Sequence, residues 1–180
     1  FGAVLKEGLA MDAEHRDALL ELGRFPTAAG GDPIGLAQYV ERMPDGQDAI
    51  YYLAGEQLDR IRNSPHLEAF RARGVDVLLM ADQIDQIWLS TVPSYAEKPF
   101  RSVSQGTVDL EAVKPQDSGE TAEPEAEEPG LDIAELVERL GGALGDAVKE
   151  VRVSTRLTDS AVCLAADEFD PDLHLARMLR

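Results

Sequence analysis

The side chains that most often carry chemistry are few in this sequence and stand far apart. Cys163 is the only cysteine, and it lies in the apolar run of residues 161–166, where a buried cysteine acts as a small hydrophobic side chain. His66 directly follows a Ser-Pro helix start, so we interpret it as a first-turn surface residue rather than a catalytic base. Asp82 and Asp85 are interpreted as a helix cap and a first-turn acid.

Motifs for cofactor or metal binding are missing from the sequence. The histidines stand at positions 15, 66 and 174, without metal-ligand spacing, and neither GxGxxG nor GxxxxGK[ST] occurs. We therefore predict that this chain is not an enzyme by itself and that it holds no cofactor and no metal.

Helical and strand-like patterns alternate along the first half of the chain. Leu36, Tyr39, Val40 and Met43 recur at the spacing of a buried helix face. Residues 75–80 form a nearly continuous apolar run, which is typical of a buried strand. Strands joined through helices are usually parallel. We therefore predict the α/β class (α+β overall), with a small α/β subdomain in residues 1–107 whose short, mainly parallel sheet is flanked by helices.

An acidic segment follows this subdomain. Residues 107–130 contain eight acids and one base, and such a composition does not bury enough apolar area to offset the entropy of ordering. We predict a flexible acidic linker over residues 108–130. Residues 131–180 are predicted to be a truncated α+β domain, in which residues 149–154 and 161–166 form a β-hairpin and a helix begins at Asp170-Pro171.

The overall charge limits the classes of partner. The net charge of −17 disfavours nucleic acid and anionic membranes, because binding phosphate groups requires lysine and arginine. No run approaches the ~20 apolar residues of a membrane span. A single cysteine fits a reducing compartment, and we expect a cytoplasmic protein.

Several strings, in this order, resemble the heat-shock protein 90 family of chaperones in its bacterial form. The resemblance spans nearly the whole chain outside the acidic segment. The strings are FGAVLKEG, LAQYVERM, GQDAIYYLAGE, SPHLEAFRARGVDVLLMADQID, KPFRSVSQG and RLTDSAVCLAADE. The chain would then be the end of the family's middle domain followed by the start of its C-terminal domain, cut before the dimerisation helices.

The resemblance implies part of an ATP-dependent chaperone for unfolded or partly folded client proteins. ATP and magnesium would bind outside this chain, and the full-length protein would be a homodimer. Two separate apolar patches would contact clients. The client-binding residues implied by the resemblance and by the apolar arc of the last helix are Gln86, Ile87, Trp88, Ser90, Leu175, Met178 and Leu179.

Alternatives remain at two levels. Trp88 is either a core residue or an exposed contact site, and the last helix is either exposed or covered by further domains of the protein. At the level of function, the chain is either a client-contacting piece or a structural connector without client binding. A small α/β enzyme is disfavoured, because its cofactor loop or Cys-x-x-Cys motif is missing.

Overall fold

The computed structural model describes residues 2–106, 110, 113, 133–167 and 170–178, the side chain of the last one excepted. The described residues fall into two compact units. The first consists of the residues up to 113 together with those from 157 onward, and the second consists of residues 133–156.

Seven helices of the first unit and one of the second are described. In the first unit they are α1 (Gly2–Met11), α2 (Arg16–Leu22), α3 (Leu36–Glu41), α4 (Leu58–Arg62), α5 (Glu68–Ala72), α6 (Gln83–Thr91) and α8 (Leu173–Met178). A 3-10 turn, Pro65–Leu67, precedes α5. The second unit contains α7 (Ile133–Leu144) and the 3-10 turn Gly145–Ala147.

Four strands form one sheet in the first unit. They are β1 (Ile50–Ala54), β2 (Leu78–Met80), β3 (Ser94–Tyr95) and β4 (Lys98–Ser102), in the order β2-β1-β4-β3. The strand β1 is parallel to both β2 and β4, whereas β3 and β4 are antiparallel. The predicted α/β class with a short, mainly parallel sheet and flanking helices is therefore confirmed.

The sheet is covered on both faces because side chains alternate along its strands. Tyr51 and Leu53 of β1 pack with Phe70 of α5 in one core cluster. Leu78 and Met80 of β2 belong to a second cluster. Helices α1, α3 and α6 contribute their buried apolar residues to that second cluster, so the subdomain has three layers.

The β-hairpin predicted from residues 149–154 and 161–166 is wrong for the described part of the chain. Both segments lack strand pairing there, apart from a parallel bridge between Ala166 and Gln105. Val162 and Leu164 are 70% and 56% exposed. Alternation predicts a strand only where a partner covers the apolar side, and nothing described covers these side chains.

Two further predictions concern where the acidic segment begins and where the last helix begins. Leu110 and Val113, which fall in the predicted linker, are each 4% exposed. Both belong to the core cluster that contains Tyr51 and Phe70. The other residues predicted as linker lie outside the described residues, so the boundary at 107 remains a prediction. Helix α8 begins at Leu173, three residues after the predicted start.

Candidate functional site

Helix α6 carries four of the predicted contact residues, and a buried ion cluster fixes its first turn. The ammonium group of Lys6 on α1 lies 2.7 Å from an oxygen of Asp82 and 2.8 Å from Oδ1 of Asp85. The side chains of Lys6 and Asp85 are 7% and 0% exposed. Buried charges need such pairing to offset the loss of hydration, so α1 and α6 are joined by a contact that is costly to open.

Trp88 lies beside this cluster and is a core residue. It is 0% exposed, and its Nε1 donates a hydrogen bond to Oδ1 of Asp85 at 2.9 Å. Its ring centroid lies 5.8 Å from that of Phe25 and 5.5 Å from that of Phe100. Of the two readings that the sequence left open, the structure selects the core residue.

The neighbouring residues of α6 differ in exposure. Ile87 is 52% exposed, and Ser90 is exposed and donates its hydroxyl to the carbonyl oxygen of Ile87 at 2.6 Å. Gln86 is only 7% exposed. Successive helical residues are turned by about 100°, so Trp88 faces the core and Ile87 faces solvent.

Gln86 points to Asp172, a buried carboxylate at the start of α8. Asp172 is 5% exposed, and the Nε2 of Gln86 lies 3.5 Å from its Oδ1. The same Oδ1 accepts the N–H of His174 at 2.8 Å. Oδ2 accepts the hydroxyls of Ser102, at the end of β4, and of Ser104, the latter at 2.6 Å. One carboxylate thus joins α6, the sheet and α8.

The charge of Asp172 also acts on β1. Burial and, to a smaller degree, the negative charge of Asp172 raise the pKa of Tyr52 to about 12. Tyr52 pairs with Ser102 across the β1–β4 ladder. The group of hydrogen-bonded side chains around Asp172 therefore lies directly on the sheet rather than at the rim of the unit.

A second carboxylate contacts the segment that leads to α8. Glu68, the first residue of α5, accepts the backbone N–H groups of Thr158, Asp159 and Ser160 at 2.8, 3.0 and 3.2 Å. It also accepts the hydroxyl of Ser160. These bonds, that of the Ser160 hydroxyl above all, lower the pKa of Glu68 to about 2.

Helix α8 carries the other predicted contact residues. Leu175 is half-buried. Met178 is the last residue of the helix, and its side chain, like all of Leu179, lies outside the described residues. The contact between Gln86 and Asp172 brings the two predicted contact regions together, although the sequence analysis treated them as separate patches.

The sequence comparisons with known proteins agree along the whole chain. The sequence profile described as Hsp90 protein matches residues 1–180. The chain belongs to the Hsp90 family.

Bacterial relatives of this Hsp90 chain are similar over its full length. It is 48% identical over 180 residues to the chaperone protein HtpG of Roseobacter denitrificans. It is 49% identical over 180 residues to that of Paramagnetospirillum magneticum and 48% over 181 residues to that of Mycobacterium leprae. In each case 100% of this chain is covered, but it spans only 29%, 29% and 27% of these relatives.

A solved structure supports the fold of the Hsp90 chain. The middle domain of a Plasmodium falciparum heat shock protein superposes with a TM-score of 0.53 at 34% identity. The match covers 57% of this chain and 43% of that one.

The residues that connect the contact regions were not predicted from the sequence. Asp172 has a local signal, because an aspartate before a helix is a common cap, but its serine partners are 68 and 70 residues away. Glu68 and its three backbone donors have no signal in a single sequence. Within the described ranges, no cluster of three or more His, Cys, Asp or Glu side chains is arranged to hold a metal ion. No described helix is both long and apolar enough to cross a membrane.

Proposed function

We propose that this chain is part of an ATP-dependent molecular chaperone that binds unfolded or partly folded proteins. The support is its membership of the Hsp90 family and its similarity to bacterial proteins named as chaperones. In this proposal the chain supplies client-contact and inter-domain surface, and it does not hydrolyse ATP.

The proposed contact surface consists of the solvent-facing side of α6 and the apolar side of α8. Ile87 is the observation that carries it, because a 52% exposed isoleucine lies on a helix that is otherwise fixed by buried contacts. Ser90 lies one turn further along α6, and Leu175 of α8 is half-buried. Met178 and Leu179 stay in the proposal, although the side chains of both lie outside the described residues. Gln86 and Trp88 are buried, so their proposed role is to position these residues from beneath.

The remaining parts of the function belong to the longer protein. ATP with magnesium would bind in regions outside this chain, and the full-length chaperone would be a homodimer. The cytoplasm is the proposed compartment. These proposals rest on the Hsp90 family as a whole, and no residue of this chain is assigned to them.

A structural connector is the second candidate function. The observation that favours it is the pair of buried or hydrogen-bonded carboxylates, Asp172 and Glu68, which join distant parts of the first unit without any exposed apolar side chain. A connector does not need Ile87, whereas a client-contacting surface does.

The test is the affinity of the full-length protein for an unfolded, basic probe, reduced and carbamidomethylated ribonuclease A. Ile87→Ser is compared with Leu22→Ser, because Leu22 is a similarly exposed apolar residue (59%) at the end of α2. Burial of the exposed part of the Ile87 side chain by a client contributes about 1 kcal/mol to the free energy of binding. We therefore expect about fivefold weaker binding for Ile87→Ser and unchanged binding for Leu22→Ser. Equal affinities for the wild type and both variants would favour the connector.

A further inference from the structure

Residues 157–167 and 170–178, here called the arm, lie against the α/β subdomain although the acidic segment separates them from it in sequence. The arm carries α8, which is half of the proposed contact surface. We infer that Asp172 is a positioning residue that holds the arm against α6 and β4, and that client binding is coupled to this docking. This inference rests on the proposed function.

Asp172 has its hydrogen-bond partners from the subdomain only while the arm is docked. Its carboxylate is 5% exposed, and within the described residues it has hydrogen-bond donors but no ion pair. Two donors are the hydroxyls of Ser102 and Ser104, and the third partner from the subdomain is the amide of Gln86. A buried carboxylate is tolerated only while such donors stay in place, so its hydrogen bonds are formed when the arm is docked and are lost when it leaves.

The arm also docks at its other end. The N–H groups of residues 158–160 converge on the carboxylate of Glu68. Between the two ends, Ala166 donates its N–H to the carbonyl of Ser104 at 2.9 Å and accepts the N–H of Gly106 at 3.0 Å. The docked position is therefore specific along its length and is not set by Asp172 alone.

The arm buries little apolar surface. Ala166 is 8% exposed, but Val162 and Leu164 point to solvent. Contacts within a chain that are polar rather than apolar allow the parts to move relative to one another. The arm is thus held by a few hydrogen bonds, and the loss of one buried acceptor is enough to shift it toward the undocked state.

Docking decides whether the contact surface is continuous. With Asp172 in place, the residue before α8 contacts Gln86 of α6, so Ile87 and Leu175 belong to one docked unit that a client segment can contact. Without it, the client meets α6 alone. A client that binds the docked state more tightly must in turn stabilise docking, because coupling between two equilibria is reciprocal.

The experiment is hydrogen–deuterium exchange and probe binding in the full-length protein, with Asp172→Asn as the test variant. Asp170→Asn is the matched control, since it makes the same charge change two residues away on an exposed side chain. Ser104→Ala is a milder second variant that removes one donor. The probe is the unfolded ribonuclease A described above.

We expect amides of the arm to exchange at least about tenfold faster in Asp172→Asn, which corresponds to about 1.4 kcal/mol, and less so in Ser104→Ala. Amides of β1 and β2 should keep their wild-type rates, which shows that the subdomain is folded. The probe should bind several-fold more weakly to Asp172→Asn, and it should slow arm exchange in the wild type and in Asp170→Asn.

Three outcomes separate the claims. Wild-type arm exchange in Asp172→Asn would overturn the positioning role. Faster arm exchange with unchanged probe affinity, while Ile87→Ser still weakens binding, would overturn the coupling and leave the proposed function standing. Unchanged affinity in both Asp172→Asn and Ile87→Ser would overturn the proposed function and, with it, the coupling.

Discussion

Two carboxylates anchor α6, Asp85 on the helix itself and Asp172 on the arm, and their surroundings differ in kind. Asp85 is 0% exposed and is paired with the ammonium group of Lys6 on α1. Asp172 is 5% exposed, and its donors are the neutral side chains of Ser102, Ser104 and Gln86. The ion pair lies beside Trp88 in the aromatic core. The hydrogen bonds of Asp172 instead join the arm to the buried polar side chains of Gln86, Ser102 and Ser104.

The difference shows which contact is permanent and which can open. Breaking a buried ion pair leaves a charge without a partner in the core, and this costs several kcal/mol. Opening the Asp172 contact returns the carboxylate and the serines to water together. The contact between Lys6 and Asp85 therefore opens only when the whole unit unfolds, whereas the contact of Asp172 opens and closes in a local equilibrium.

The largest expected effect is that of Lys6→Met. It leaves Asp85 buried without its cation, so we expect the free energy of unfolding to fall by about 3 kcal/mol. Urea denaturation of this chain, followed by the fluorescence of its single tryptophan, Trp88, measures the loss at the contact itself. Arg101→Met is the control, because the exposed pair of Arg101 with Asp48 at 3.4 Å contributes at most about 1 kcal/mol. Equal losses in the two variants would contradict the account.

A smaller effect on global stability is expected for Asp172→Asn. Because the variant can lose no more than the free energy of docking the arm, the change in the same urea experiment should be about 1.4 kcal/mol, the value that corresponds to tenfold faster arm exchange. A loss as large as that of Lys6→Met would show that the arm unfolds only together with the rest of the unit. The contrast between the Lys6–Asp85 contact and the Asp172 contact would then disappear.

The smallest effect is expected at Glu68 and depends on pH. Its pKa in the folded protein, about 2, lies below the usual 4.5, so its contribution is present above 4.5 and is lost as the pH falls toward 2. We expect Glu68→Gln to lower the amide protection factors of residues 158–160 at neutral pH, and the difference from the wild type to vanish on acidification. Glu56→Gln, which changes an exposed acid of the same unit, should have no effect. A difference that persists at low pH would contradict this role.

Much of the fold could be predicted from the sequence because it depends on short-range patterns. The apolar spacing from Leu36 onward predicted α3, and the run at residues 75–80 predicted the buried strand β2. The parallel arrangement followed from the helices between strands. The wrong β-hairpin had the same kind of pattern, but pairing requires a partner strand that the pattern does not name.

The candidate site was less accessible to sequence analysis. The family resemblance indicated α6 and α8, but it gave no information on burial, and the spacing of Trp88 was compatible with either face. Lys6 looks like a surface residue in its segment, and its partners are 76 and 79 residues away. Long-range polar contacts of this kind arise only when the fold is assembled.

The most direct test of the account is methyl NMR of the full-length protein, with isoleucine and leucine methyl groups labelled, titrated with the unfolded ribonuclease A probe. The account predicts that the signals of Ile87 and Leu175 shift together with one dissociation constant, while Leu22 stays unchanged. Shifts at Ile87 without Leu175, or at neither, would contradict a single client surface formed by α6 and the docked arm.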